Sequence, residues 1–144
     1  MKAAINNLSV SAILLAILGG IIGIGAGLFL GFALGAALAA VLRGRRALVV
    51  ASSDLSHFYP QAQAVALDSE MLRRVAAFDP AGVLEAAASG AGQACGSGAI
   101  AAVMWAARAL GANRAQVLKQ ATSGDVSGDY GQVVGYAAAR LWKD

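Results

Sequence analysis

The chain has 144 residues, enough for one domain, with a hydrophobic share of 58% and a net charge of +3. That charge is unevenly placed: Lys2, Arg43, Arg45 and Arg46 are the only charges before residue 54, and beyond them seven Lys/Arg face eight Asp/Glu. The basic balance therefore flanks an apolar segment and does not form the Lys/Arg face of a nucleic-acid binder, while a single cysteine excludes an internal disulfide.

Residues 8–42 carry no Asp, Glu, Lys, Arg or His. A membrane-spanning helix needs roughly 20 apolar residues to cross a hydrocarbon core of about 30 Å. As one straight helix this stretch is about 50 Å long at ~1.5 Å per residue. It must tilt, emerge from the bilayer, or break near Gly19-Gly20. Two crossings would need more residues than it has. Its length also exceeds the ~7–15 residues of a cleavable leader's apolar core. Gly19, Gly23, Gly27, Gly31 and Gly35 recur every four residues, and Ala39 continues the row. On a helix they form one flat stripe that another helix can approach closely. Homo-oligomerisation through that stripe is one reading. The general richness of membrane helices in glycine is the other. Arg43, Arg45 and Arg46 follow at once and bias the C-terminal side toward the cytoplasm. The sequence divides into a membrane anchor with a basic flank over 1–46 and a cytoplasmic domain over 47–144.

Ala47-Leu48-Val49-Val50-Ala51 is apolar and β-branched and ends in Ser-Ser-Asp, which predicts a buried strand running into a loop. Residues 61–77 have helical spacing of apolar positions at Ala64, Ala66, Leu67, Met71, Leu72 and Val75. Asp79-Pro80 predicts the start of a second helix, with Asp79 as N-cap and Pro80 at the first turn, ending near Ser89-Gly90. A third helix is expected over 98–110, closed by Gly111. Strands are expected over 117–122 and 132–138. The order predicts an α/β fold, a partial three-layer sandwich of about three strands and three helices, after one long transmembrane helix.

The chemistry-bearing residues lie in polar, glycine-rich punctuation. His57, the sole histidine, closes Ser52-Ser53-Asp54-Leu55-Ser56-His57. In a helical turn Asp54 and His57 would share a face, the carboxylate fixing the imidazole tautomer. Alternatively Ser53 or Asp54 caps a turn and His57 is a surface residue. Cys95, the sole cysteine, precedes the third helix, whose free N–H groups and dipole would favour a thiolate. It reads either as a metal ligand or nucleophile, or as a small buried residue in a tight turn. Ser123-Gly124-Asp125 recurs as Ser127-Gly128-Asp129, a pattern suited to a ligand-binding loop and equally to an ordinary turn. Other glycine motifs fail. A dinucleotide fingerprint from Gly90 would need glycine at Cys95, no Gly-Lys-Ser/Thr is present, and a hydrolase elbow at Ser97 would again need glycine at Cys95.

Taken in order, Val49-Val50-Ala51-Ser52-Ser53-Asp54-Leu55-Ser56-His57-Phe58-Tyr59-Pro60, Ala94-Cys95-Gly96-Ser97-Gly98-Ala99-Ile100, Ala107-Arg108-Ala109-Leu110-Gly111-Ala112, Ala121-Thr122-Ser123-Gly124-Asp125-Val126-Ser127-Gly128-Asp129 and Val133-Val134-Gly135-Tyr136 resemble the Memo family. Its bacterial and archaeal members are called AmmeMemoRadiSam system protein B. The resemblance covers about residues 47–142. It implies an α/β fold similar to class III extradiol dioxygenases and a pocket that holds iron or copper through two histidines and a cysteine. An aspartate and a further histidine lie close by. Carried over, Cys95 looks like the cysteine ligand, and Asp54 and His57 look like the neighbouring acid/base pair. Ser53, Ser123, Asp125 and Asp129 are further pocket candidates. The family's two histidine ligands lie in its N-terminal half, where this sequence has the apolar segment. Three readings result. The first is a membrane-anchored Memo-like domain with a partial metal or redox pocket and little activity alone. The second is a membrane-tethered oligomeric interaction module without catalysis, whose soluble part supplies a docking surface or pairs with a partner that provides the missing half of the fold. The third is a metal-dependent oxidoreductase related to the ring-cleaving dioxygenases, with ligands borrowed from a partner or a second copy.

Overall fold

A computed structural model of the chain describes residues 10–144, with side chains from residue 25 onward. Helix α1 runs unbroken over Val10–Leu42, through the Gly19-Gly20 pair. Strand β1 (His57–Tyr59), helices α2 (Gln61–Ala76), α3 (Pro80–Ser89) and α4 (Ser97–Ala109), strand β2 (Arg114–Thr122), the single-turn α5 (Gly124–Ser127) and strand β3 (Val133–Trp142) follow. The fold is mixed α/β, as its sequence implied.

The three strands form one antiparallel sheet in the order β1-β3-β2. Ala115, Val117 and Leu141 turn one sheet face toward a core of Leu55, Met71, Leu72, Val75, Phe78, Val83, Ala86, Ala101 and Met104. Helix α2 lies on β2 and β3, α3 packs beside α2 and α4 beside α3, and α1 packs outside α4 and α3. The opposite sheet face is polar or open: Gln116 accepts from Arg140 at 2.9 Å, and Leu118 and Tyr136 are exposed.

Local chemistry sets the helix ends. Asp79 caps α3 by accepting from the Gly82 N–H at 2.9 Å, with Pro80 at the first position. Gly90 closes α3 at φ 74°. At the end of α4 the Gly111 N–H donates to Arg108 and the Ala112 N–H to Ala107, with Gly111 at φ 99°. This paired return is the Schellman motif, and its αL residue is glycine because a Cβ is strained there.

The expected strand over 47–51 is absent. The segment is irregular, and Leu48 and Val50 are 89% and 73% exposed. A strand needs a neighbour to take its N–H and C=O groups. Bonding to β3 begins only at Leu55, whose N–H donates to Gly135 at 2.9 Å while the Gly135 N–H donates to Ser56 at 2.8 Å. Before that point the chain is taken by the Cys95 turn. Three strands are still present, because His57–Tyr59 forms the one that 47–51 does not.

A candidate pocket joining His57 and Cys95

The Cys95-Gly96 turn and the Ser53-Asp54 turn are stitched together by backbone. The Cys95 N–H donates to the Asp54 carbonyl at 3.1 Å, and the Asp54 N–H donates back to Cys95 Sγ at 3.3 Å. The Gly96 N–H donates to Ser53 Oγ at 2.8 Å, while that hydroxyl donates to the Asp54 carbonyl at 2.7 Å and lies 3.6 Å from Cys95 Sγ. Gly96 is required by this approach: a Cβ there would stand 2.9 Å from the Ser53 Cβ and 3.0 Å from the Ser52 carbonyl.

Asp54 and His57 meet with Oδ2 and Nε2 3.5 Å apart. They do so without the expected helical turn, since residues 54–56 are irregular and His57 opens β1. Backbone strain sits immediately after. Phe58 has φ 63°, at the point where the register between β1 and β3 shifts, and its ring is exposed. A left-handed conformation costs a non-glycine residue roughly 1–2 kcal/mol. It is tolerated here because bonds to β3 and the α2 start flank it on both sides.

His57 and Cys95 line one cavity of about 200 Å³, together with Leu55, Ala87, Gly92, Gln93 and Ala94. The thiol is exposed and the imidazole partly so. At the same rim Gln93 Nε2 donates to the Tyr59 hydroxyl at 2.9 Å. Sequence reasoning overlooked this pair, although Gln93 lies two residues before Cys95 and Tyr59 two after His57.

The repeated Ser-Gly-Asp segment is not in the cavity lining. Ser123 accepts from the Val134 N–H at 3.0 Å, tying the end of β2 to β3. Asp125 accepts from the Thr122 N–H at 2.7 Å. Asp129 accepts from the Gly131 N–H at 2.9 Å, after Gly128 at φ 76°. These side chains serve the β2–β3 connection, where Asp and Ser satisfy turn backbone. Of the seven residues singled out from the sequence, Ser53, Asp54, His57 and Cys95 converge, and Ser123, Asp125 and Asp129 lie elsewhere.

Asp54, His57 and Cys95 do not amount to a metal site. Among the described residues, no three His, Cys, Asp or Glu side chains are grouped to hold an ion. Cys95 Sγ is turned to the Asp54 N–H, and the Asp54 carboxylate to His57. By themselves these residues do not complete the ligand set that the family resemblance implies. What they offer is a thiol beside a carboxylate–imidazole pair at a small, partly open cavity.

The Memo-like protein family model matches residues 31–140. The MEMO1 family protein of Methanopyrus kandleri is 47% identical over 94 residues, 65% of this chain and 33% of that protein. That of Methanosarcina mazei is 43% identical over 95 residues, 66% of this chain and 36% of the relative. The MEMO1 family protein of Methanothermobacter thermautotrophicus is 44% identical over 94 residues, 65% of this chain and 34% of the relative. The chain thus spans about a third of the length of the curated relatives it matches. With its family match extending from the last third of α1 into β3 and covering every pocket residue, the chain belongs to the Memo family.

Proposed function

We propose that this chain is a membrane-anchored Memo domain carrying part of a metal or redox pocket, in which Cys95 is the ligand thiolate and Asp54 and His57 are the acid/base pair. The observation that carries the reading is the stitching of Cys95 to Ser53-Asp54, which brings thiol and imidazole to the rim of one cavity. Iron or copper is the metal proposed, on the family resemblance and the soft thiolate donor. Three ligands around an open position are needed for a reactive centre, and this chain supplies one thiolate with two groups that face each other at 3.5 Å. The remaining ligands are proposed to come from a second polypeptide carrying the rest of the family fold, and the isolated chain lacks full activity.

The anchor is α1, a helix long and apolar enough to cross a membrane, in a stretch without a charged residue over 8–42. Arg43, Arg45 and Arg46 favour a cytoplasmic side for residues 47–144. A second reading, a tethered interaction module without catalysis, draws support from the exposed Leu48 and Val50 beside the pocket turn. Self-association is proposed through Gly19, Gly23 and Gly27, because Gly31 and Gly35 are already covered by α4 within the chain; Gly19 and Gly23 lie outside the residues whose side chains are described.

Metal content tests the pocket. The detergent-solubilised chain, loaded with iron or copper and desalted, is expected to retain well below one equivalent, and Cys95→Ser is expected to abolish what remains. A full equivalent bound by the chain alone would overturn the partial-pocket reading. Retention unchanged by Cys95→Ser would remove Cys95 from it.

A further inference from the structure

Helix α1 has 33 residues and is about 50 Å long at ~1.5 Å per residue, against a hydrocarbon core of about 30 Å. Its surroundings change abruptly along that length. At Gly25 and Gly27 an added Cβ would meet nothing within 4 Å. At Gly31 it would stand 2.7 Å from the Trp105 ring and 3.4 Å from Leu84, and at Gly35 it would stand 2.6 Å from the Trp105 Cβ and 2.8 Å from the Ala102 carbonyl. Ala39 is buried, and Phe32 meets Trp105 edge to face with centroids 6.0 Å apart. Among the described residues, close packing on the domain therefore begins at Gly31, with Leu28 half-buried just before it. The family match starts at the same residue.

We infer that α1 is one continuous helix in two solvents: Val10–Leu30 crosses a lipid bilayer, and Gly31–Leu42 is a helix of the Memo domain outside the hydrocarbon. The inference rests on the membrane-anchor reading and adds where the membrane ends. Val10–Leu30 is 21 residues, about 32 Å of helix, which matches one crossing with little tilt. Were hydrocarbon to reach Leu42, α3 and α4 would have to enter with the segment they pack on. The exposed Glu85, next to Leu84, and the exposed Arg108, at the end of α4, would enter with them. Each charge at the bilayer centre costs about 2.5–3.5 kcal/mol even on the most permissive scale. Glycine at 31 and 35 is thus spent on the approach of α4. With no loop between span and domain, the His57–Cys95 cavity is held at a set height and orientation over the lipid surface.

Single cysteines placed in the Cys95→Ser chain locate the boundary. N-ethylmaleimide crosses bilayers but reacts only with thiols that reach water, so the result does not depend on topology. In lipid vesicles, Leu15→Cys, Ile22→Cys and Gly27→Cys are expected to stay unmodified until detergent is added. Leu34→Cys, Ala37→Cys and Val41→Cys, all on the exposed side of the docked segment, are expected to react at once. Protection extending through position 41 would overturn the division while leaving the anchor intact. Reaction at positions 15 and 22 would overturn both. The unmodified chain gives a check free of folding artefacts. Lipids brominated in mid-chain are expected to leave Trp105 fluorescence unquenched, and quenching that disappears in Trp105→Phe would place Trp105 in hydrocarbon and refute the inference.

Discussion

Asp68 is the residue on which the position of His57 turns. It is completely buried on α2, its Oδ1 accepts from the Ser56 N–H at 2.9 Å, and its Oδ2 has no hydrogen-bond partner. Gly135 on β3 lies so close that a Cβ there would overlap the carboxylate. A buried polar group is costly unless bonded, and the bond found here is to Ser56, the residue immediately before His57. Asp68→Ala would leave that N–H buried without an acceptor, a loss of about 1–3 kcal/mol. Asp68→Asn keeps an amide oxygen for the same bond and is expected to lose less. Urea unfolding of the solubilised chain measures both, and equal losses would show that Asp68 contributes something other than the bond to Ser56. Nothing in the sequence singled out Asp68, because an aspartate inside an amphipathic helix reads as a solvent-facing position until the strand that covers it is known.

At the scale of elements, α2 and α3 are joined by a charge relay. Glu70 accepts from Arg73 at 2.8 and 2.7 Å and from Arg74 at 2.9 Å, and Arg74 reaches Asp79, the cap of α3, at 3.2 Å. Hydrogen bonds from Arg73 and then Arg74 lower the Glu70 carboxyl to about 2 from an ordinary 4.5. A carboxyl depressed in the folded state stabilises above its unfolded value and loses that contribution as the pH falls. The Tm gap between the native chain and Glu70→Gln should therefore be full above pH 4.5 and close between pH 4.5 and about 2. It should also narrow in high salt, since the cluster is solvent-accessible. A gap unchanged across that range would show that the relay does not stabilise the fold. The three helices of this region were legible in the sequence because their signals are local: an apolar period for α2, Asp79-Pro80 for α3, Gly111 for α4. The strand expected over 47–51 was not, because strand formation depends on a partner and Val49-Val50 carries no information about whether one is present. The pocket was legible for the complementary reason. His57 and Cys95 are each unique in the chain and each follow or sit in a polar turn, Ser53-Asp54 before His57 and Cys95-Gly96 itself, so their meeting needed only the two turns to be adjacent. The Ser-Gly-Asp repeat carries the same composition, but its oxygens are absorbed by the β2–β3 connection.

At the scale of the molecule, a sheet of three strands supports a Memo domain that matches about a third of each curated relative. One consequence is concentrated in residues 47–51, which carry the apolar composition of a central strand and have no strand beside them. Leu48 and Val50 stand in water, and the next residues that find a backbone partner are those held by the Cys95 turn. Unpaired amides exchange rapidly, whereas amides in a ladder exchange only when it opens. In the isolated chain, hydrogen exchange is expected to be fast over 47–51 and slow in β2 and β3, where residues 114–122 pair with 135–142. Slow exchange at 48–50 in the isolated chain would mean that the segment is paired after all, with a second copy if the protection rises with concentration. If a second polypeptide completes the fold, adding the two-thirds of the Methanopyrus kandleri relative that this chain does not match should slow exchange over 47–51 and raise metal retention together. The two effects are linked physically, because the segment that would join the larger sheet runs directly into Ser53 and Asp54. Protection gained without metal would favour the interaction module over the metal pocket.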